Sequence, residues 1–404
     1  MHERTQCFKL LYMIVFPFIS QSLVGYLSNM TTKNMSKELY LIPIEVVNLT
    51  CGYRNCVVID SCRNRILSAN RSLYDFFLNS MLRSRKSIYS MYAKERETLE
   101  EYLDFLFNNE IAFWGTMDEL HLFSAYNNNW DYPSHITNAI VSCSTTTCDR
   151  LSELFGTFSQ LCVEAIELYV GYGVEQWPEI IKRMNKIVTL KYVKLFVPFN
   201  QDQDFAYYDN IIRINPVIDQ IIIYSSPQTR TNHTGTVINI LQPIDFSNCG
   251  LVDVAYFCHS IPFFTESQRH NTCLNRKICI DAEGYIKNCP AMARSYGNIK
   301  DTTLEEAINK PGFKDLWYIC KDQIDVCKDC EFRYMCTDCR CFIKDPDNIY
   351  SQPAKCTYNP YICLWEGQDG YVPVEECGTY SRETGFVPDK KRIAELNKRI
   401  WGEE

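Results

Sequence analysis

Histidine is scarce in this chain. The six present (His2, His121, His135, His233, His259 and His270) are dispersed, and none sits at the spacing of a metal pair or of a nucleophile and its base. No glycine-rich loop of the phosphate-cradling kind occurs, so the chain is not expected to bind ATP itself. Positive charge has no excess: 41 Lys and Arg stand against 49 Asp and Glu, a net charge of −8. That balance argues against broad binding to a nucleic-acid backbone. Acids and bases are interspersed, as on a solvated face. Internal repeats and low-complexity tracts are missing too.

Cysteine, by contrast, is abundant: 21 residues, of which twelve follow residue 270. Before that point they are scattered and read as small buried side chains. After it they cluster, most densely in Cys327-Lys-Asp-Cys330-Glu-Phe-Arg-Tyr-Met-Cys336-Thr-Asp-Cys339. A secreted disulfide framework is the competing reading. C-x2-C units in close succession favour metal over bridges.

A four-iron cluster wants four thiolates around a compact cube, and a C-x2-C step points two sulfurs the same way across a tight turn. Cys327, Cys330 and Cys336 can hold three corners from one loop, and Cys356 is placed to return as the fourth. A second group can form from Cys273, Cys289 and Cys339, with Cys279 as the near candidate for its remaining ligand. Cys320, Cys341, Cys363 and Cys377 are left over as structural residues, although Cys341 could replace Cys339. Zinc is the rival metal, on Cys327, Cys330, Cys336 and Cys339. Its ribbons usually separate two knuckles by roughly 15–20 residues, a wider gap than this one.

Length and composition frame these groups. A chain of 404 residues suggests two or three domains, and an apolar share of 46% suits a well-packed globular protein. Residues 1–36 include an apolar stretch from Phe8 to Leu27 that reads as signal-like, as a short anchor, or as sequence before a true start at Met30 or Met35. Labile clusters need a reducing interior, so the cytoplasm is expected, with a membrane or secretory location as the alternative that the apolar stretch leaves.

Residues 37–115 read as a small α+β unit. Strands at Val57–Ser61 and Arg65–Ser68 are joined by Cys62-Arg63-Asn64. A helix runs from Arg71 to Met81 with Asn70 as N-cap, and a short one covers Ser87–Ala93. Leu99, Tyr102, Leu103 and Leu106 mark an amphipathic helix, and Ile111–Trp114 a returning strand. Strands, helices and a returning strand make a winged-helix-like pattern that could accept an extended peptide by strand addition. A plain cap on the next domain is the alternative.

Residues 116–250 alternate. Strands are expected at Ile136–Ser142, Glu164–Val170, Tyr192–Val197, Asp219–Tyr224 and Val237–Leu241. Helices are expected at Thr147–Leu161, Val174–Lys186 and Phe205–Ile214. The fold class is therefore α/β, with βαβ units in an open or partial barrel. Residues 251–272 form a connector, 273–363 the cysteine module and 364–404 a polar tail with a last helix near Lys390–Trp401. Within the module, a hairpin of Arg276–Ile280 and Tyr285–Asn288 turns at Asp281-Ala282-Glu283-Gly284. Thr302 and Glu305 form a capping box that opens a helix closed by Pro311.

The pattern Cys273-x10-Gly284-x4-Cys289, then Cys327-x2-Cys330-x5-Cys336, a nearby Cys and a final Cys356 resembles the SPASM domain. That domain is the auxiliary-cluster module of radical S-adenosylmethionine enzymes that modify peptides. The segments CKDCEFRYMCTDCR, DPDNIYSQPAKCTYNPY and NTCLNRKICIDAEGYIKNCP are similar to SPASM-domain maturases of grasp-with-spasm systems, which pair such a protein with an ATP-grasp ligase and a precursor peptide. The match is tight over 270–361 and looser elsewhere. The family usually has three residues between its last two clustered cysteines; here there are two before Cys339 or four before Cys341. The resemblance implies two [4Fe-4S] clusters grouped as above. It also implies a peptide-recognition element, a radical-SAM-like partial barrel and a SPASM domain in order.

One family hallmark is missing. Radical S-adenosylmethionine chemistry needs C-x3-C-x2-C after the first barrel strand. Here that loop offers only Cys143-Ser-Thr-Thr-Thr-Cys148. No Gly-Gly-Glu stretch follows the next strand, which ends Tyr169-Val170-Gly171-Tyr172-Gly173. S-adenosylmethionine binding is therefore not expected, and Cys143 and Cys148 read as vestigial or packing residues. The expectation is a precursor-binding or accessory maturase beside an ATP-grasp ligase. The alternatives are a redox enzyme working through its auxiliary clusters, or a zinc-stabilised binding module.

Overall fold

The computed structural model describes residues 38–44, 47–123 and 129–402. The apolar stretch from Phe8 to Leu27 lies outside them. Among the described residues no helix is long and apolar enough to cross a membrane.

The first unit holds five strands: β1 (Tyr40–Pro43), β2 (Val47–Cys51), β3 (Asn55–Asp60), β4 (Arg65–Asn70) and β5 (Ala112–Gly115). Its helices span Arg71–Ser80, Arg85–Met91 and Arg96–Asn108. Asn70 caps the first of these, its side-chain oxygen accepting from Leu73 N at 2.8 Å. Leu99, Leu103 and Leu106 form the buried stripe of the third, as their spacing predicts. The returning strand appears as β5, and its partner is a strand that the sequence reading did not name. β5 pairs antiparallel with β1, whereas the β3–β4 hairpin is completed by β2 as a three-stranded meander. The short segments β1 and β2 carry little alternation; β2 is extended by pairing with the adjacent β3, and β1 only by pairing with the distant β5.

The middle of the chain is a mixed α/β body built on an eight-stranded, mostly parallel sheet. Its strands are β6 (Asn138–Cys143), β7 (Ala165–Val170), β8 (Tyr192–Pro198), β9 (Ile218–Tyr224), β10 (Arg230–Thr231), β11 (Val237–Asn239), β12 (Lys277–Ile280) and β13 (Ile286–Lys287). The order across the sheet is β10-β11-β9-β8-β7-β6-β12-β13, with antiparallel pairs at the two ends only. β7, near the centre, is buried at all six positions, as a parallel strand covered on both faces must be.

Alternate residues divide the two faces. Val141, Cys143, Leu168, Val170, Leu195 and Ile278 pack against the helices Cys148–Gln160 and Trp177–Met184. Ile140, Tyr169, Phe196, Ile222, Tyr224 and Cys279 form the other face, covered by Ile244 and Phe246. There the Tyr169 and Phe196 rings stack with centroids 4.1 Å apart, and Phe246 meets Tyr169 edge-on at 4.9 Å.

The expected hairpin after Cys273 is part of this sheet. β12 runs parallel to β6 in the register Lys277↔Asn138 to Ile280↔Val141. The first strand of the cysteine module thus shares hydrogen bonds with the α/β body. The capping box falls one residue later than expected: Thr303 accepts from Glu306 N at 3.2 Å, and Glu306 accepts from Thr303 N at 2.9 Å. Both registers occur in Thr302-Thr303-Leu304-Glu305-Glu306. The observed one buries Leu304, Ala307 and Ile308 on a single side. The last helix is Lys390–Trp401, capped by Asp389 and ended by left-handed Gly402.

Candidate metal centre

The chain from Lys321 to Cys336 is a succession of tight turns. Short 3₁₀ turns cover Lys321–Gln323 and Cys327–Asp329. Val326 sits between them at φ 66°, a strained value for a β-branched residue, and is anchored among Tyr361, Ile362 and Leu364. Cys330 N donates to Cys327 O at 3.0 Å and so closes the C-x2-C turn, while Cys336 N donates to Phe332 O at 3.1 Å and brings the third cysteine back. Phe332 N also points at Cys330 Sγ, 3.4 Å away.

These turns, with the returning Cys356, enclose a cavity. Cys327, Cys330, Cys336 and Cys356 all line it, together with Lys321, Arg333, Gln352, Phe257, Phe332 and Trp365. The unfilled space amounts to about 360 Å³, its open mouth included. Lys321, 5% exposed, places its ammonium 3.3 Å from Cys336 Sγ and 4.0 Å from Cys327 Sγ. Burial works against that charge, whereas the neighbouring Cys327 and Cys336 sulfurs, once ionised, raise its pKa above the usual lysine value. The thiols are opposed in sense. Burial pushes Cys327 up to about 12 and Cys330 well above the usual thiol range, and Cys336 is raised for the same reason.

A buried ammonium that needs anions beside sulfurs that will not ionise alone is an incomplete electrostatic set. Metal binding completes it, because a coordinated thiol loses its proton outright. The donor set therefore fits a thiolate-bound iron–sulfur group. Among the described residues, no three His, Cys, Asp or Glu side chains converge on one point as a single ion requires.

The second group is assembled differently. Cys273 and Cys289 lie before and after the β12–β13 hairpin. Asn271 Oδ1 accepts from Cys273 N at 3.0 Å and from Leu274 N at 2.8 Å, which shapes the turn presenting Cys273. Asn271 Nδ2 in turn donates to Asp338 at 2.6 Å, and Asp338 pairs with Arg340 at 2.7 Å. Arg340 also donates to the Ile349 and Ser351 carbonyls. This buried network fastens the Cys273 turn to the segment carrying Cys339 and Cys341. Gly250 at φ 82° approaches so closely that a Cβ there would meet Cys339 Sγ at 2.8 Å.

Burial raises Cys289 to about 12, with Cys273 adding to the rise, Lys277 opposing it and Cys341 adding a little more. Burial also raises Cys341 to about 11, and Cys339 and then Cys273 add to it. Cys273, Cys289 and Cys341 are thus electrostatic neighbours, with Cys339 beside Cys341. Cys279 is 0% exposed and packs in the aromatic face beside Ile140, Tyr169 and Phe196, although it senses Cys289. Lys277 is the counterpart of Lys321: 5% exposed, its Nζ 3.4 Å from Cys273 Sγ. Burial opposes its charge, whereas Cys273, Cys289 and Glu167, once ionised, raise its pKa above the usual lysine value.

Cys143 and Cys148 point into the helix-facing core, and burial pushes Cys143 up to about 12. Gln176 Nε2 donates to Cys148 Sγ at 3.1 Å. The loop between them is tied by hydroxyls to the β12–β13 turn: Ser144 and Thr146 both donate to Ala282 O, at 2.6 and 3.1 Å. His270 lies between the Trp130 and Tyr318 rings.

Lys277, Lys321, Asn271, Asp338 and Arg340 were not singled out by sequence reasoning. For Lys277 a signal existed: strand alternation puts it on the same face as Cys279, a charge where apolar residues dominate. Lys321 carries no comparable local pattern.

No family model matches the chain, and no curated protein sequence matches it. Similar solved structures include SuiB of Streptococcus suis bound to S-adenosylmethionine and the same protein bound to its precursor peptide SuiA, each with a TM-score of 0.25. SuiB by itself gives 0.23. All three are 10% identical and cover 74% of this chain and 96% of theirs. TM-scores so low establish no shared fold.

Proposed function

We propose that this chain is an iron–sulfur, SPASM-type protein that takes part in maturing a ribosomally made peptide. One [4Fe-4S] group would be held by Cys327, Cys330, Cys336 and Cys356. The other would be held by Cys273, Cys289, Cys339 or Cys341, and a further ligand for which Cys279 is the candidate. The observation that carries the reading is the cavity shared by four cysteines and the buried Lys321 ammonium.

Bound there, such groups supply electron transfer and cross-link the turns. The chain's own residues do the rest. Lys321 and Lys277 each offset negative charge on one sulfur group, and Arg333 links the Cys330 carbonyl to the first unit through Cys51 O, at 3.0 and 2.7 Å. The hydroxyl-rich Ser144–Thr147 loop offers no three-thiolate mount, so the proposed role is precursor binding or accessory maturation without radical S-adenosylmethionine chemistry. An ATP-grasp ligase would be the partner that forms the ester or amide, in the reducing cytoplasm.

The winged-helix-like unit is the proposed peptide reader. β2 is met at its end by the Asp329–Arg333 loop, whereas β4 pairs only with β3 among the described residues. An extended precursor segment would add to the β4 edge. Anaerobic iron and sulfide analysis tests the assignment: about eight irons per chain with equal sulfide support it, and one or two zincs without sulfide refute it. Binding of a labelled precursor, lost on Ser68→Pro in the β4 edge, tests the reader.

A further inference from the structure

The β2–β3 hairpin carries a sulfur pair that neither cysteine group uses. Cys51 and Cys56 face each other in the ladder across the turn Gly52-Tyr53-Arg54-Asn55. Gly52 N donates to Asn55 O at 2.8 Å, so the adjoining pair 51/56 is of the non-hydrogen-bonded kind. Such pairs hold their Cα atoms about 4.5 Å apart, within the roughly 4.4–6.8 Å that a disulfide spans. The two thiols touch, Cys56 Sγ lying 2.6 Å from Cys51 Sγ. Joining them needs no backbone movement.

Their access differs. Cys56 is 0% exposed, whereas Cys51 is half-buried. Their charge preferences differ as well. The hydrogen bond from Cys56, followed by the positive charges of Arg71 and Arg333, lowers the Cys51 pKa against the effect of burial. The same hydrogen bond, followed by burial, raises that of Cys56. The difference in access distinguishes the outer nucleophile from the inner partner.

We propose that Cys51 and Cys56 are a reversible dithiol–disulfide couple, in which Cys51 attacks an external low-molecular-weight disulfide and Cys56 resolves the adduct. In the first step the Cys51 thiolate attacks one sulfur of RSSR. The external S–S bond breaks, a Cys51–SR bond forms, and RS⁻ leaves to take a proton from water. In the second step Cys56 gives its proton to solvent and attacks the Cys51 sulfur. The mixed disulfide breaks and a second RS⁻ leaves and is protonated. Two protein thiols are oxidised to one disulfide as one RSSR is reduced to two RSH.

The couple sits against the loop that carries Cys330. Tyr53 N donates to Asp329 O at 2.7 Å, and Arg333 donates to both Cys51 O and Cys330 O. A Cβ on Gly52 would meet Glu331 N at 2.6 Å, so the turn is seated without slack. Closing the disulfide fixes the very turn on which this loop rests.

The test uses the full chain, reduced and desalted anaerobically, then exposed to oxidised glutathione, quenched with an alkylating agent and peptide-mapped. Wild type is expected to give a Cys51–Cys56 linked peptide with no lasting glutathione adduct. Cys56→Ser is expected to accumulate glutathione on Cys51. Cys51→Ser is expected to leave Cys56 unmodified, with adduct formation at least about tenfold slower. Wild type in which both thiols stay alkylatable overturns the proposal, as does linkage of Cys51 to any other cysteine. Equal glutathione uptake by Cys56 in Cys51→Ser also overturns it. The wild-type result decides even if a variant fails to fold.

Discussion

The two cysteine groups reach the same composition by opposite routes. Cys327, Cys330 and Cys336 come from one run of tight turns, with Cys356 returning to the same cavity. Cys273 and Cys289 instead flank a hairpin whose first strand is hydrogen-bonded into the eight-stranded sheet, and Cys341 stands near them on the segment that the Asn271–Asp338–Arg340 network ties to the Cys273 turn. Each group has one buried lysine against its sulfurs, Lys321 or Lys277. The contrast predicts that the turn-gathered sulfurs depend on what they hold more than Cys273 and Cys289 do, because those two flank strands of the sheet.

Metal removal is the largest expected perturbation of that contrast. Chelation under anaerobic conditions should abolish amide protection across residues 321–356 while β12 and β6 stay protected, as hydrogen exchange would show. Equal loss in both regions would erase the distinction. Single ligand removals come next: Cys330→Ala or Cys289→Ala should each lower iron from about eight to about four per chain.

The lysines rank third. Lys321→Met should destabilise the loaded protein by about 3–5 kcal/mol in urea unfolding, because it leaves buried negative sulfur without its counter-charge. Lys277→Met should cost less, since Lys194 still offsets the Glu167 carboxylate. The ligand choice in the second group sharpens the comparison further. Cys341→Ser and Cys339→Ser should differ in iron content, and the one that loses about four irons is the ligand.

The smallest expected effect is a pH dependence from His270, beside the second group. Burial, then the charge of Arg276, lowers its pKa below the usual histidine value. The unfolded chain titrates near about 6.5, so in the window below that value the unfolded state binds more protons. Its contribution to stability is therefore complete above about 6.5 and is lost as pH falls towards the depressed folded value. His270→Phe should flatten that slope in unfolding curves at a series of pH values.

Much of this was readable in the chain. Phe205–Ile214 and Lys390–Trp401 appear with the bounds their periodicity predicts, and the parallel strands β6 to β9 with small shifts. The C-x2-C step and the return of Cys356 pointed to four residues that line one cavity. Other features were not readable. β1 and β2 are too short to show alternation, and β5 pairs with β1 over a long sequence separation. The Thr302 and Thr303 capping registers are locally equivalent, and burial of Leu304 chose between them.

The amino-acid sequence by itself determined which residues can act as soft donors, which segments are helical, and that a phosphate loop and a three-thiolate C-x3-C-x2-C mount are missing. Those are properties of residue type and short spacing, which local sterics and chemistry settle. Only the tertiary structure decided that β12 belongs to the sheet, that Cys341 stands near Cys273 and Cys289, and that Lys277 and Lys321 are buried against sulfur. Long-range pairing and desolvation produce those features, and neither acts until distant segments pack together.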